Sequence, residues 1–197
     1  MDNERLEKQI QFIEEIDKLK NIYRQNRVIH ENRNENDAEH SWHLAVMAMF
    51  LSEYAKGEKL DISKVMKMVL VHDIVEIDAG DTFCYDEKGY TDKAERERKA
   101  AERIFNILPE DQAKTLWELW REFEEMKTKE AKFAACLDRF QPFLLNRKTD
   151  GHTWKKDGVN LEKVLKRNEP LKEEMPALWE YVLKKAKESV EQGILRP

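Results

Sequence analysis

Apolar side chains recur every three or four positions along nearly the whole chain, which is the spacing of an amphipathic α-helix. No segment shows a convincing alternation of apolar and polar residues, the pattern of a half-buried strand. The 197 residues include only 6 glycines and 5 prolines, too few for the many turns of a β-sandwich. We therefore predict an all-α protein, a single-domain bundle of about six to eight helices over residues 1–197.

The periodicity and the capping residues set the predicted helix boundaries. The first helix is predicted over residues 4–23, with Leu6, Ile10, Ile13 and Ile16 facing inward, and residues 24–37 are predicted to be a polar, irregular segment. Asp37 and Asp61 are predicted N-caps because a short polar side chain can accept a bond from the first helical turn. The remaining helices are predicted over residues 38–56, 62–77, 92–108, 110–126, 129–146, 161–167 and 171–191. A polar, exposed loop that contains Trp154 is predicted over residues 151–158.

Charge and cysteine content limit the partners of the chain. The net charge is −5 with both signs interspersed, which does not favour binding to a nucleic acid polymer. The longest apolar run, residues 45–51, is far shorter than a membrane span. Cys84 and Cys136 are far apart and form no metal-binding pair. The sequence therefore predicts a cytoplasmic protein with a small-molecule partner and no membrane contact.

His72 and Asp73 stand in a strongly apolar segment, Met-Val-Leu-Val-His-Asp-Ile-Val-Glu, that ends at Glu76. A histidine and two acidic residues inside a buried helix are costly unless they are paired or bind a cation. His72 and Glu76 are four residues apart and would share a helix face, with Asp73 about 100° away. This segment alone is equally consistent with a metal site and with a satisfied polar seam.

Two other positions add candidate ligands. His40 and His43 are three residues apart at the start of a predicted helix, although structural histidines account for most such pairs. Asp138 lies on the inward face of its predicted helix with Ala131, Ala134 and Leu145, where a salt bridge is the simpler explanation. Taken together, the histidines and aspartates form a mixed nitrogen and oxygen ligand set. Such a set favours one divalent transition metal, Mn²⁺, Co²⁺, Fe²⁺, Ni²⁺ or Zn²⁺, over Ca²⁺.

The order His40, His72-Asp73, Asp138 resembles the motif of the HD domain, an all-α superfamily of metal-dependent phosphohydrolases. Glu-His-Ser around His40, His-Asp-x-x-Glu ending at Glu76, and Gly-Asp ending at Asp81 are similar to bacterial 5′-deoxynucleotidases. The resemblance covers about residues 18–145, the metal-binding core, and leaves C-terminal helices at 161–191.

The resemblance implies a role for each matched residue. His40, His72, Asp73 and Asp138 would bind the metal, and Glu76 and Asp81 would be the catalytic carboxylates. Glu76 could position or deprotonate the attacking water and Asp81 could protonate the leaving oxygen, or the two roles could be exchanged. The best candidates for phosphate binding are Arg24 and Arg33, each of which could equally be an ordinary surface arginine.

The implied activity is hydrolysis of a phosphomonoester, a (deoxy)nucleoside 5′-monophosphate, to nucleoside and phosphate. Gln25 stands where those deoxynucleotidases have a tryptophan near the sugar, which leaves the sugar and nucleotide specificity open. The alternatives are a phosphodiester or pyrophosphate hydrolase of the same superfamily and a non-catalytic nucleotide-binding protein. An apolar helix stripe could also mediate a homodimer.

Overall fold

The protein is described by a computed structural model that covers residues 3–57, 59–86, 88–156 and 158–197. Within these ranges the chain forms eight α-helices of eight residues or more, two single-turn helices and one short hairpin, which confirms the all-α class. The elements are α1 (Asn3–Ile16), β1 (Tyr23–Arg27), β2 (Asn34–Asn36), α2 (Asp37–Leu51), α3 (Ile62–Val71), α4 (Glu76–Ala79), α5 (Lys93–Phe105), α6 (Glu110–Glu125), α7 (Lys129–Lys148), α8 (Leu161–Asn168), α9 (Leu171–Glu174) and α10 (Pro176–Glu191).

The N-terminal segment differs from its prediction. Helix α1 ends at Ile16, a 3₁₀ turn follows over Asp17–Asn21, and the predicted irregular segment contains the antiparallel hairpin β1–β2. Leu6, Ile10 and Ile13 were predicted to face inward, but their exposed fractions are 55%, 46% and 58%. The inward residue of α1 is Phe12, which packs with Ile104, Phe105 and other residues of α5. Helical periodicity identified the apolar stripe but not which face of α1 the bundle covers.

Two apolar clusters form the core. The larger one joins α2, α3, α7 and α10, with Leu44, Met68, Leu137 and Val182 fully or almost fully buried. The smaller one joins α1, α5 and α6 around Phe105 and Trp120. Val71 at the end of α3, together with Ile74 and Val75 just after it, belongs to the smaller cluster, whereas Val65, Met68 and Val69 earlier in α3 belong to the larger one. Residues 72 and 73 are therefore held where the two clusters meet.

Helix ends follow local capping chemistry. The Asp61 side chain accepts from the backbone N–H of Lys64 at 3.0 Å, which confirms the predicted cap of α3. The cap of α2 is Asn36 rather than Asp37. Its side chain accepts from the Glu39 N–H at 2.9 Å while the Glu39 carboxylate accepts from the Asn36 N–H, a capping box. Asp37 is consequently the first helical residue and is fully buried.

Several predicted helices are interrupted. The helix predicted over residues 62–77 stops at Val71, passes through turns at residues 72–75 and resumes as α4. The helix predicted over residues 171–191 breaks before Pro176, because proline cannot donate to the preceding turn. Trp154, predicted in an exposed loop, is 2% exposed and packs 5.5 Å from the Phe143 ring. No helix in the described ranges is long and apolar enough to cross a membrane.

Candidate metal centre and cavity

Three elements bring the candidate ligands together. His40 comes from the first turn of α2, His72 and Asp73 from the break between α3 and α4, and Asp138 from the middle of α7. Donor atoms of His40, His72 and Asp73 all lie within 4.8 Å of one another. Asp138 Oδ1 lies 3.1 Å from His40 Nε2 and 3.9 Å from His72 Nε2. The four side chains therefore present two imidazole nitrogens and two carboxylates to one point.

The His72 ring is held in one tautomer by the backbone. Nδ1 lies 2.8 Å from the carbonyl oxygen of Val69, and because a carbonyl only accepts, Nδ1 carries the proton. Nε2 then bears the lone pair, and this buried atom has no hydrogen-bond partner. Burial lowers the pKa of His72, which favours the neutral ring that a metal requires. An unpartnered, fully buried imidazole nitrogen beside carboxylates is the donor chemistry of a divalent metal site.

His40 is held by a buried glutamine that the sequence analysis missed. Gln141 Nε2 donates to Glu35 Oε1 at 2.6 Å and to His43 Nδ1 at 3.2 Å, so its Oε1 is left to accept from His40 Nδ1 at 3.2 Å. The proton on Nδ1 leaves Nε2 of His40 to face Asp138. Orienting a ligand histidine through its other nitrogen in this way is typical of metal sites. His43 contacts Gln141 and does not join the ligand cluster.

Arg24 lies among the carboxylates rather than in open solvent. Its Nη1 is 2.8 Å from Asp73 Oδ2 and 3.3 Å from Asp37 Oδ1, and its Nη2 is 3.9 Å from Asp138 Oδ1. Strand β1 carries Arg24 into this position, and Asn34 of β2 donates to the Arg24 carbonyl at 2.8 Å. Arg24 thus neutralises the ligand carboxylates directly.

Two further carboxyl groups face the ligands. Burial, followed by the negative charges of Asp73 and Asp37, raises the pKa of Glu76 well above its usual range. Burial also raises the pKa of Asp81, against the lowering effect of Arg24. A raised pKa favours the protonated form of each group, and carboxyl groups perturbed in this way beside candidate metal ligands are candidates for proton transfer.

A cavity of about 190 Å³ opens beside this cluster. Six of the eight predicted site residues line it, namely Arg24, His72, Asp73, Glu76, Asp81 and Asp138, and His40 lies buried directly behind Asp138. The opposite walls come from residues 82–85 with Tyr90, from α7, and from α8 with Trp154. The cavity is concave and is lined by both charged groups and aromatic rings, as small-molecule sites are.

The loop after Asp81 is fixed by Arg96 of α5. Arg96 donates to the carbonyl oxygens of Ala79 and Gly89, the latter at 3.0 Å, and to Thr82 Oγ1 at 3.2 Å. Two lining residues, Gln25 and Phe83, are contacted by Lys156, which donates to Gln25 and lies 4.8 Å from the centre of the Phe83 ring. Gln25 therefore lines the cavity through a contact with the segment before α8.

Arg33 is the one predicted site residue that the structure does not bring to the cavity. Its guanidinium makes a two-point ion pair with the Glu39 carboxylate, at 2.8 and 2.7 Å, on the surface. The residues that sequence reasoning missed are Glu35, Asp37, Gln141 and Arg167. Gln141 and Asp37 offered a signal, a polar side chain on an apolar helix face, whereas Arg167 offered none because its helix carries several surface cations.

Comparison with known families agrees with this geometry. Residues 16–179 match the HD domain family. The chain belongs to the HD-domain family. The family match and the cluster of His40, His72 and Asp73 together support a divalent-metal site in this chain.

Individual members of the family are similar to this chain over most of its length. The chain is 35% identical over 136 residues to human 5′-deoxynucleotidase HDDC2, a match that spans 68% of this chain and 65% of that protein. The Dictyostelium discoideum 5′-deoxynucleotidase HDDC2 is 31% identical over 140 residues, spanning 68% and 74%. The crystal structure of a predicted metal-dependent phosphohydrolase from Magnetospirillum magnetotacticum MS-1 superposes on the chain with a TM-score of 0.90 at 50% identity. The match covers 98% of this chain and 96% of that chain. The chain thus spans just under two thirds of the human relative and nearly all of the bacterial one.

Proposed function

We propose that this HD-domain protein is a metal-dependent phosphohydrolase that converts a (deoxy)nucleoside 5′-monophosphate to nucleoside and phosphate. One observation carries the proposal. Four metal-ligand side chains and two carboxyl groups of raised pKa, Glu76 and Asp81, adjoin a single cavity. A pure binding site has no use for a proton-transfer pair beside a metal. The human and Dictyostelium relatives, both 5′-deoxynucleotidases, support the choice of substrate.

The residues divide the reaction between them. His40, His72, Asp73 and Asp138 would hold the divalent ion, which supplies charge stabilisation for the phosphoryl group and a bound water of lowered pKa. Glu76, one turn beyond His72, positions the attacking water and, in its ionised form, accepts the proton of that water. Asp81 donates a proton to the departing nucleoside oxygen, and burial, which raises the pKa of this carboxyl group, favours the protonated form that the role requires. Arg24 holds Asp73 and the neighbouring carboxylates in place while the substrate phosphate enters.

The donor set also limits which metal ions would bind. Two imidazole nitrogens and two carboxylates suit Mn²⁺, Fe²⁺, Co²⁺, Ni²⁺ or Zn²⁺ better than Ca²⁺, which prefers six to eight oxygen ligands. We propose one such transition-metal ion per chain.

The test uses the full chain, stripped with chelator and reloaded with Mn²⁺, Co²⁺, Zn²⁺ or Mg²⁺. Phosphate release is measured on a panel of ribo- and deoxyribonucleoside 5′-monophosphates, alongside Asp73→Ala. We expect metal-dependent release that Asp73→Ala abolishes together with most of the bound metal. Asp86→Ala, which changes a surface carboxylate of the same charge, is the matched control and should retain both.

Two results would contradict the proposal in different ways. Bound metal without phosphate release from any monophosphate would move the assignment to a phosphodiester or pyrophosphate hydrolase, to be tested on those substrates. Absence of both metal binding and activity would favour a non-catalytic nucleotide-binding protein.

Three broader expectations belong with this proposal. We propose that residues 1–197 act as one domain, which the match over residues 16–179 supports. We propose a cytoplasmic location, which the two free thiols of Cys84 and Cys136 support. We propose a homodimer, which the exposed apolar side chains of α2 support, with Trp42 63% and Phe50 68% exposed.

A further inference from the structure

Four basic side chains line the cavity, and they differ in how completely they are neutralised. Arg24 contacts Asp73 and Asp37, and Lys93 is paired with Glu97. Arg139 donates to the carbonyl oxygen of Ala135 at 2.7 Å and to the Met126 sulfur at 3.3 Å. Among the described residues, no carboxylate lies within 4.0 Å of Arg139, and Arg167 has only Asp138 Oδ2, at 3.4 Å. Positive charge is therefore in excess on the wall formed by α7 and α8.

The two arginines also repel each other. Both guanidinium groups are positively charged and line the same cavity. Bringing two guanidinium groups into a partly buried wall with one shared carboxylate nearby is unfavourable unless another anion binds there. The burial and pairing of these residues thus indicate an anion subsite.

Asp138 fixes where this subsite lies relative to the metal ligands. Its Oδ1 faces His40 and His72, whereas its Oδ2 faces the Arg167 guanidinium. The Asp138 carboxylate therefore lies between Arg167 and the two histidines of the ligand cluster. Its side chain is 28% exposed and lines the cavity, so its remaining N–H donors are accessible to a ligand.

The chemistry of the two candidate arginines favours Arg167 over Arg24 as the substrate contact. Arg24 already uses Nη1 on two carboxylates and has a third 3.9 Å from Nη2. Arg167 has a planar fork with a single long contact, the arrangement that binds phosphate through two parallel hydrogen bonds.

We propose that Arg167, reinforced by the charge of Arg139, binds the phosphate group of the substrate directly, so that the phosphate lies over Asp138 between the metal ligands and α8. This inference rests on the proposed function for the identity of the ligand, a phosphomonoester. It adds a substrate-binding residue from α8, in the C-terminal part of the chain, to those predicted from the sequence.

The experiment measures binding of inorganic phosphate to the metal-loaded full chain by calorimetry, without turnover. Arg167→Gln removes the charge and the fork, Arg167→Lys keeps the charge alone, and Lys166→Gln removes an equal charge from the exposed face of the same helix. Charge-assisted hydrogen bonds of this kind predict about 10- to 100-fold weaker phosphate binding in Arg167→Gln. We expect a smaller loss in Arg167→Lys, and less than a twofold change in Lys166→Gln.

Metal content is measured in the same samples because Arg167 touches Asp138. If Arg167→Gln holds less than one metal ion per chain, phosphate binding is compared in Arg167→Lys instead, because this variant keeps a cation beside the Asp138 carboxylate. Weaker phosphate binding at full metal content supports the proposal, and unchanged phosphate binding in that sample overturns it. A protein that hydrolyses no monophosphate but loses phosphate affinity in these variants would refute the nucleotidase and retain Arg167 as an anion site.

Discussion

Gln141 offers the sharpest test of how the fold prepares the metal site. It is fully buried and makes three hydrogen bonds, to His40, Glu35 and His43. Replacing it with leucine keeps a similar volume but removes all three. His40 Nδ1 and Glu35 Oε1 then stay buried without that partner, and the His40 ring is free to change tautomer and turn away from Asp138.

The size of the effect follows from these contacts. Each buried polar group left without a partner costs about 1–3 kcal/mol, so the free energy of unfolding should fall by about 2–5 kcal/mol. Loss of the partner that orients a ligand histidine typically lowers metal affinity about 10- to 100-fold, which corresponds to about 1.4–2.8 kcal/mol. The variant should therefore lose stability and metal affinity together.

A control separates the two losses. Asn146 is a buried amide of the same helix that accepts from the Thr153 N–H at 2.9 Å and the Thr153 hydroxyl at 2.8 Å, with no contact to the metal ligands. Asn146→Leu should lower stability but leave metal affinity unchanged. Metal affinity is measured by competition with a chromophoric chelator, and stability by urea unfolding of the metal-free proteins. Equal metal affinities in Gln141→Leu and Asn146→Leu would refute the reasoning.

Three further predictions concern other parts of the molecule. Burial, and then the charge of Asp73, raise the pKa of Asp37 to about 7. An unfolded aspartate ionises near pH 4, so ionisation of the folded group lowers stability as the pH rises from about 4 to 7. Metal-free Asp37→Asn should thus be more stable than wild type at pH 8 and equal to it near pH 4 in urea unfolding, and an equal gain at both pH values would contradict this. Gly151 has a φ of +67°, and a Cβ there would lie 2.3 Å from the Ile194 carbonyl oxygen, so Gly151→Ala should cost about 1–3 kcal/mol in thermal unfolding. Gly57→Ala should cost less, because Gly57 also has a positive φ, +98°, but no atom lies near its Cβ position. Light scattering should give twice the chain mass of 23.5 kDa, falling to one chain in a Trp42→Glu, Phe50→Glu variant, and a monomeric wild type would rule out the homodimer.

Most of the helical framework could be predicted because periodicity and capping are local properties. Asp61 caps α3 as expected, and α6 and α7 begin where predicted. The errors arose where tertiary packing decides. The exposed side of α1 has the same apolar spacing as a buried face, so sequence alone assigned Leu6 and Ile13 to the wrong side. The hairpin β1–β2 consists of polar residues and is stabilised by pairing, which leaves no alternating pattern to detect.

The candidate site was predictable to a different degree. Histidine and aspartate in an apolar segment stand out because their burial needs a partner, and the structure does bring the predicted ligands together. The residues that orient those ligands were harder to find. Gln141 is uncharged, and only the fold shows that its amide lies between Glu35 and His40, 106 and 101 positions away. Arg33 was predicted to bind phosphate, but it lies on the surface, where an ion pair with Glu39 neutralises its charge.

The interruption between α3 and α4 sets the protonation of a metal ligand. In a continuous α-helix the Val69 carbonyl would accept from the backbone N–H of Asp73, four residues on. Here it accepts from the His72 ring, and that bond fixes which ring nitrogen has the lone pair. In this turn the His72 ring stands where the next backbone N–H of a helix would bond. A substitution that extended α3 by a single turn would bring the Asp73 N–H to the same oxygen, which can accept two bonds, and the His72 ring would then be held less firmly in this tautomer.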